Sequence, residues 1–505
     1  MPLNKAKVNT YRRIVSSTAA FGSAQMLNLL VGVLRGKLVA SILHSTGMGV
    51  LSVFNNVASG FQQFALMGLN ISTVRNISQA HDQDDEQVLD LTIRIVRTLV
   101  LIASMIGLTV TLVLSPFMSG LSFGNDSYTT AFVLLGAAVF FGVLAAGETS
   151  ILQGMRRYKR LALCSVFPPL CGLLLSIPIY YIWGVIGIVP AMILLNVVYF
   201  AVLRYYSYRN PNRRQQQRIT LRQVWTQGQG IIQFGFVMTL SVLAGSIATY
   251  ALSIFIINRG SVSDLGFYQA GTAITTQYIG VVFTAMATDY YPHLSSLVNE
   301  NMLAARRLVN QQVEMVLLIV TPIVMLIILT APVIISILLT NEFQSIRELI
   351  RFLGLATILK AISFPLDYIA YAKGDRRYLF WVECVLGNVK TLLVMAGCYY
   401  FMGFSGLGYG ALASALLDVV FSITLTRWRY GFRIMAKPLR LAAVLLLLAG
   451  GCMACSYIDN SWASYGTMAT LTTIATVYCL TQLNKRIDLK AAFRKWRKRQ
   501  KGEPE

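Results

Sequence analysis

Apolar residues run unbroken for 18 positions or more, repeatedly, from one end of this chain to the other. A run of that length covers the roughly 30 Å hydrocarbon core of a bilayer at 1.5 Å per residue, so each predicts a membrane-spanning helix. Fourteen are expected, near 15–43, 47–69, 95–119, 128–153, 160–183, 185–206, 230–257, 265–292, 310–339, 347–372, 378–402, 405–426, 439–457 and 462–482. The polar segments between them are too short to fold as a domain. The fold class read from this pattern is an all-α polytopic membrane protein. Composition agrees: only 13% of the residues are charged, against about 25% in a soluble domain.

The pattern repeats. GMRRY (154–158) returns as GDRRY (374–378), and YYIWGVIG (180–187) as YYFMGFSG (399–406). Ser115-Pro116 parallels Ala331-Pro332, and Gly49-Val50-Leu51 parallels Gly266-Phe267-Tyr268. The offset stays near 217–220 residues. An even number of helices per repeat gives two halves of the same orientation, related by an axis along the membrane normal, with a substrate path between them. The expected organisation is a six-helix lobe over 1–206, a cytoplasmic linker over 207–228, a second six-helix lobe over 229–430, accessory helices 13 and 14 over 431–484, and a basic cytoplasmic tail over 485–505. Prolines inside the spans, such as Pro116, Pro322 and Pro365, read as kinks, whether static or used in rocking.

A formal net charge of +22 raises nucleic acid as a partner, but its placement argues against one. With the amino terminus taken as cytoplasmic, 36 of the 43 Lys and Arg fall in the tails and loops of that side. That is the positive-inside pattern, which puts both termini in the cytoplasm and makes RKWRKRQK (494–501) a contact for anionic membrane lipid. The start, MPLNKAKVNTYRR, is too polar for a cleaved signal peptide, so the first helix is expected to stay. All seven cysteines fall inside predicted helices, and Cys452-x-x-Cys455 reads as a pair of small packing residues. No metal site or cofactor is indicated, and DQDDE (82–86) reads as a solvated acidic turn.

Against that background, charge inside a span stands out. Arg35 and Lys37 lie within the first apolar segment, where an uncompensated cation costs roughly 2.5–3.5 kcal/mol. Either they line a polar cavity and meet an anionic headgroup, or Arg35 snorkels to the interface beyond His44. Two residues apart on a helix, the pair cannot share a face. Arg75, Lys360 and Lys390 are further cations, Arg75 serving equally well as an interface anchor. Helices 1, 2, 7 and 8 carry the most neutral polar groups, among them Asn28, Asn56, Gln62 and Gln269. These suit a sugar-lined path, although each alone also serves as glue between helices. Glu148, Asp289, Asp367, Glu383 and Asp418 are acids within or at the ends of spans. The first four are candidates for coupling to a proton or sodium ion. Asp367 lies seven residues after Lys360, so a plain ion pair on one helix face is an alternative.

Several stretches resemble Wzx-type flippases of lipid-linked oligosaccharides, within the multidrug/oligosaccharidyl-lipid/polysaccharide (MOP) exporter superfamily and its MATE-like fold. They are GKLVA (36–40), GMG (47–49), GLNISTVRNISQAHD (68–82), DLGFYQ (264–269), YYPHLSSL (290–297), FLGLATILKAISFPLDYIAYAKGDRRY (352–378) and WVECV (381–385). The resemblance covers roughly residues 10–430. It implies a two-lobed, V-shaped cavity and alternating access. The implied cargo is an undecaprenyl-diphosphate-linked glycan such as an O-antigen unit, moved from the cytoplasmic to the periplasmic leaflet of the bacterial inner membrane. The implied partners are a coupling cation, membrane lipids and a glycan polymerase. It also implies a cation of the first helix at the diphosphate: the GKL tripeptide maps this role onto Lys37, the spacing of lipid II flippases onto Arg35. Fourteen expected helices match the lipid II branch better than the twelve of many relatives. A multidrug extruder of the same superfamily is the alternative, disfavoured because the first lobe holds cations where cationic drugs would want acids. An enzyme is not expected, with His44, His81 and His293 scattered and no convergent acids in long loops.

Overall fold

The computed structural model describes residues 2–82, 86–208, 240 and 242–487. Most of the expected linker, Gln83 to Asp85 of the acidic turn, the first residues of the expected seventh span and the tail from 488 lie outside the described residues. The described residues form helices joined by short turns, with no strand.

In chain order these are α1 (Pro2–Leu66), α2 (Leu69–Asp82), α3 (Glu86–Phe123), α4 (Thr129–Gly154), α5 (Tyr158–Cys171), α6 (Ile177–Trp183), α7 (Ile188–Tyr208) and α8 (Val242–Arg259). There follow α9 (Val262–Glu300), α10 (Met302–Leu338), α11 (Arg347–Lys373), the single turn α12 (Arg376–Tyr378), α13 (Asn388–Met402), α14 (Ser405–Tyr430), α15 (Ala436–Cys455) and α16 (Ser461–Ile487). Among the described residues ten helical stretches are long and apolar enough to cross a membrane. Two of them, Leu30–Leu66 and Leu163–Ser207, each run through two of the expected spans. The first bends at His44, where φ is 57°, and the second turns at Gly184. Helices α9 and α16, expected as the eighth and fourteenth spans, are long but fall outside the ten. Their threonines, tyrosines and glutamines dilute the apolar run. Large apolar side chains stand on the surface, Val113 71%, Ile186 85% and Phe401 84% exposed, as lipid-facing helices require. The chain is a multi-pass membrane protein.

It folds as two compact units: residues 1–266 with 338–342, and residues 267–337 with 343–505. In the first, small residues let helices approach closely. A Cβ on Gly147 would sit 2.6 Å from Val100, joining α4 to α3. The start of α9, residues 262–266, lies against the bend of α1, where a Cβ on Gly49 would fall 2.0 Å from the Val262 carbonyl oxygen and one on Gly266 1.9 Å from that of Ser45. Thr46 and Ser263 share a hydroxyl hydrogen bond of 2.7 Å. Positions 217 residues apart therefore touch directly. Glu342 accepts hydrogen bonds from the Ser45 amide and hydroxyl and lies 3.3 Å from His44 Nδ1.

In the second unit α11 packs on α14, α13 on α14, and α15 on α16. Cys452 Sγ lies 3.8 Å from Thr472 Oγ1 across the last pair, a packing contact. Arg486 in the last turn of α16 pairs at 2.7 Å with Glu314 of α10, both largely buried. The matched motifs adopt matched turns: Gly184 (φ 56°, ψ −133°) and Gly403 (φ 62°, ψ −145°) each end a helix in a conformation open only to glycine.

Asp375, in the GDRRY turn, caps the following helix through the Tyr378 amide (3.2 Å) and accepts from Arg429 Nε and the Tyr430 hydroxyl, both at 3.1 Å. Desolvation pushes its carboxyl upward, but the bonds from Arg429, the Tyr378 amide and Tyr430 outweigh this and hold it below the usual carboxylate range. A folded-state value below the unfolded one contributes stability above about pH 4, and that contribution is lost as pH falls through the folded value. Asp375→Ala should therefore cost about 1 kcal/mol near neutrality. The gap to the parent should narrow as thermal unfolding is repeated from about pH 6 down to about pH 3.

Candidate functional site

The second unit holds an open-sided cavity of about 460 Å³ between α9, α11, α13 and α14. Lys360 and Asp367 reach it from α11, Glu383 and Lys390 from the segment before and within α13, Asp418 and Ser422 from α14, and Thr272, Thr275 and Thr276 from α9. Glu383 sits in a π-helix, Leu379–Gly387. That extra residue per turn recurs at functional sites because it re-aims side chains out of the regular register. Here it brings Glu383 to the Tyr371 hydroxyl, which donates to Oε2, while Oε1 is buried without a partner. Asp367 accepts from Ser422 Oγ at 2.6 Å. The expected alternative, a Lys360–Asp367 pair, does not form. Two helical turns separate these residues by about 10 Å, and Ser422 of α14 is nearer. Lys360 is exposed, its ammonium 6.0 Å from the Phe283 ring centroid. Lys390 is paired with Asp418 instead. The cavity thus holds three carboxylates, of which only Asp418 has a cation in direct contact among the described residues.

In the first unit Arg35 and Lys37 point apart, as their spacing demands. The Arg35 guanidinium turns inward to the backbone of Gly172, close enough that a Cβ there would lie 3.2 Å from Nη1. Gly172 opens a second π-helix, Gly172–Ser176, between α5 and α6. The buried Tyr180 hydroxyl faces this guanidinium and the Ser176 hydroxyl. Lys37 is exposed, on a stripe with Leu30 and Leu34, and no described residue pairs with it.

Glu148 is clasped. Arg97 Nε donates to Oε1 at 2.8 Å and Arg204 Nη1 at 2.6 Å, and Ser207 donates to Oε2. This network joins α3, α4 and α7 and forms one wall of a smaller cavity of about 250 Å³. Asn56 of α1 donates to Ser253 of α8 at 3.1 Å. Gln62 packs closely against Gly142 of α4, where a Cβ would meet its Nε2 at 2.2 Å. Asn28 Oδ1 is buried without a partner. Arg75 is exposed on α2. Gln269 is half-buried on α9, beside the cavity-lining Tyr268 and Thr272 but outside the lining itself. The side chain of Asp289 lies outside the described residues.

Sequence reasoning missed Tyr371, Ser422, Arg97 and Arg204 as partners of the acids. No local spacing reveals them, since Arg97 and Arg204 stand 51 and 56 residues from Glu148.

Comparison with known proteins agrees with this architecture. A family model described as "Polysaccharide biosynthesis protein" matches residues 38–348, more than half of the chain. The lipid III flippase of Escherichia coli K12 is 22% identical over 415 residues, covering 79% of this chain and 94% of the relative. Among solved structures, "Lipid II flippase MurJ, inward closed conformation" superposes with a TM-score of 0.68 at 11% identity, over 93% of this chain and 99% of that one. An inward-facing multidrug resistance MATE family transporter of the MOP superfamily gives 0.62 at 19% identity, over 81% and 97%. The fold is that of these transporters.

Proposed function

Since the chain belongs to the polysaccharide biosynthesis protein family, we propose that it is a flippase carrying an undecaprenyl-diphosphate-linked oligosaccharide from the cytoplasmic to the periplasmic leaflet of the bacterial inner membrane. Transport proceeds by alternating access of two six-helix lobes, with both termini cytoplasmic. The observation that carries the reading is Lys37, an exposed ammonium on an apolar helix face with no carboxylate among the described residues to neutralise it. A charge left that way is costly in hydrocarbon unless the cargo brings the counter-charge, and a diphosphate does. Arg35 supports it from within, holding the π-turn at Gly172. Asn56 serves as a tie between helices and Gln62 as packing against α4, rather than as sugar contacts. Of the acids, Asp367 and Glu383 are the coupling pair, because both face a cavity and neither is locked to a cation. Glu148, held by two arginines, is a structural clamp.

One observation favours a second reading, the multidrug extruder: three carboxylates in the cavity of the second unit suit a cationic drug. Reconstitution separates the two. Proteoliposomes holding this protein should expose an undecaprenyl-diphosphate oligosaccharide to an external glycosidase and leave ethidium where it was loaded. Extrusion of ethidium with no movement of the glycan lipid would reverse the assignment.

A further inference from the structure

Beyond the cavities, the second unit contains a buried cation with no ion-pair partner among the described residues. Arg351, on α11, is 5% exposed. Its Nε–H meets no acceptor, and no carboxylate among the described residues forms an ion pair with it. One turn earlier Arg347 repeats the pattern: its Nε–H is likewise buried without an acceptor, and Nη2 makes only a 3.4 Å bond to Gln344. Close enough to act on Arg351 electrostatically are Arg347, Glu348, the phenols of Tyr457 and Tyr465 and the Cys452 thiol. Glu348 is exposed and also faces Tyr457. Ser456, beside Tyr457, has a buried hydroxyl with no partner. A guanidinium presents five donors in a planar fork that suits phosphate oxygens. Leaving the Nε–H donors of two arginines one turn apart buried without acceptors describes a site whose acceptors come from outside the chain.

The surroundings identify the source. At this corner the turn from α15 to α16 exposes Tyr457 (53%), and the start of α16 exposes Trp462 (91%) and Tyr465 (42%). Exposed tyrosine and tryptophan at a helix end mark the depth of lipid headgroups. We propose that Arg351 and Arg347, closed over by the α15–α16 turn, form a binding site for the phosphate of a membrane phospholipid. Helices 13 and 14 of the sequence, which lie outside the internal repeat, thereby gain a role as the wall of a lipid site.

The test uses the full chain, purified in detergent and washed free of lipid. Dioleoyl phosphatidylglycerol should raise its thermal midpoint by roughly 3 °C, the scale expected of a ligand near a hundred times its Kd on a chain of this size. Dioleoylglycerol, with the same tails and no phosphate, should not. Arg351→Gln should abolish the shift while unfolding no earlier than the parent in lipid-free detergent, since it removes a buried unpaired charge. Arg440→Gln, an exposed arginine at the other end of α15, should respond like the parent. Should Arg351→Gln not fold, Arg347→Gln carries the same expectation in native mass spectrometry, a fall of at least about fivefold in retained phospholipid for a lost charge-assisted phosphate bond. An equal shift from dioleoylglycerol, or an undiminished response in the arginine variants, overturns the site. Stabilisation by sodium phosphate but not by phosphatidylglycerol overturns the lipid source.

Discussion

Proteoliposomes carrying the Arg35→Ala/Lys37→Ala double variant will contain folded protein that no longer moves a diphosphate-linked glycan. Losing a desolvated charge partner costs about 2–5 kcal/mol, which is a fall of at least about 30-fold in transport. The two single variants should differ in kind. Lys37→Ala removes an ammonium that pairs with no described residue, so the fold should be unaffected and the loss confined to transport. Arg35→Ala also removes the group packed on Gly172 and facing Tyr180, so it should lower the thermal midpoint as well. Full transport by Lys37→Ala would move the diphosphate contact elsewhere in the chain.

The second large effect is expected at the acids. Asp367→Asn keeps an oxygen for the Ser422 hydroxyl but can never carry charge, and Glu383→Gln does the same opposite Tyr371. Transport driven by an imposed proton or sodium gradient should fall in both to the rate without a gradient, with glycan binding retained. Glu148→Gln should behave in the opposite way. It leaves Arg97 and Arg204 without their shared carboxylate, a loss of about 3–5 kcal/mol of stability, seen as a lower thermal midpoint with the gradient response intact. If Asp367→Asn and Glu383→Gln both responded normally to either gradient while Glu148→Gln did not, coupling would lie in the first unit.

What the sequence allowed to be read, and what it did not, follows from the range of the forces involved. Helices were legible because burial of an apolar run in lipid is a property of consecutive residues. So were the breaks at His44 and Gly184, placed between neighbouring spans by the polar residue in one case and the glycine-rich turn in the other. The paired glycine turns at Gly184 and Gly403 were visible as a repeated motif because a backbone conformation closed to other residues fixes the residue type. Partnerships across helices were not legible. Asp367 was read against Lys360 on its own helix, whereas its bond is to Ser422, 55 residues on. Arg351 escaped attention altogether. A single arginine one turn inside a helix carries no sign in the sequence of being buried, and only the packing of α15 shows that it is covered.

The Glu314–Arg486 pair bears on how this protein can be handled at the bench. Because Arg486 is bolted to α10 in the second to last described position of the chain, the basic tail and the last helix are not interchangeable as disposable ends. A truncation or a fused reporter placed after Ile487 leaves the bolt in place. One placed two residues earlier strands a carboxylate in the interior, and poor expression of such a product would report the cut rather than any need for the tail.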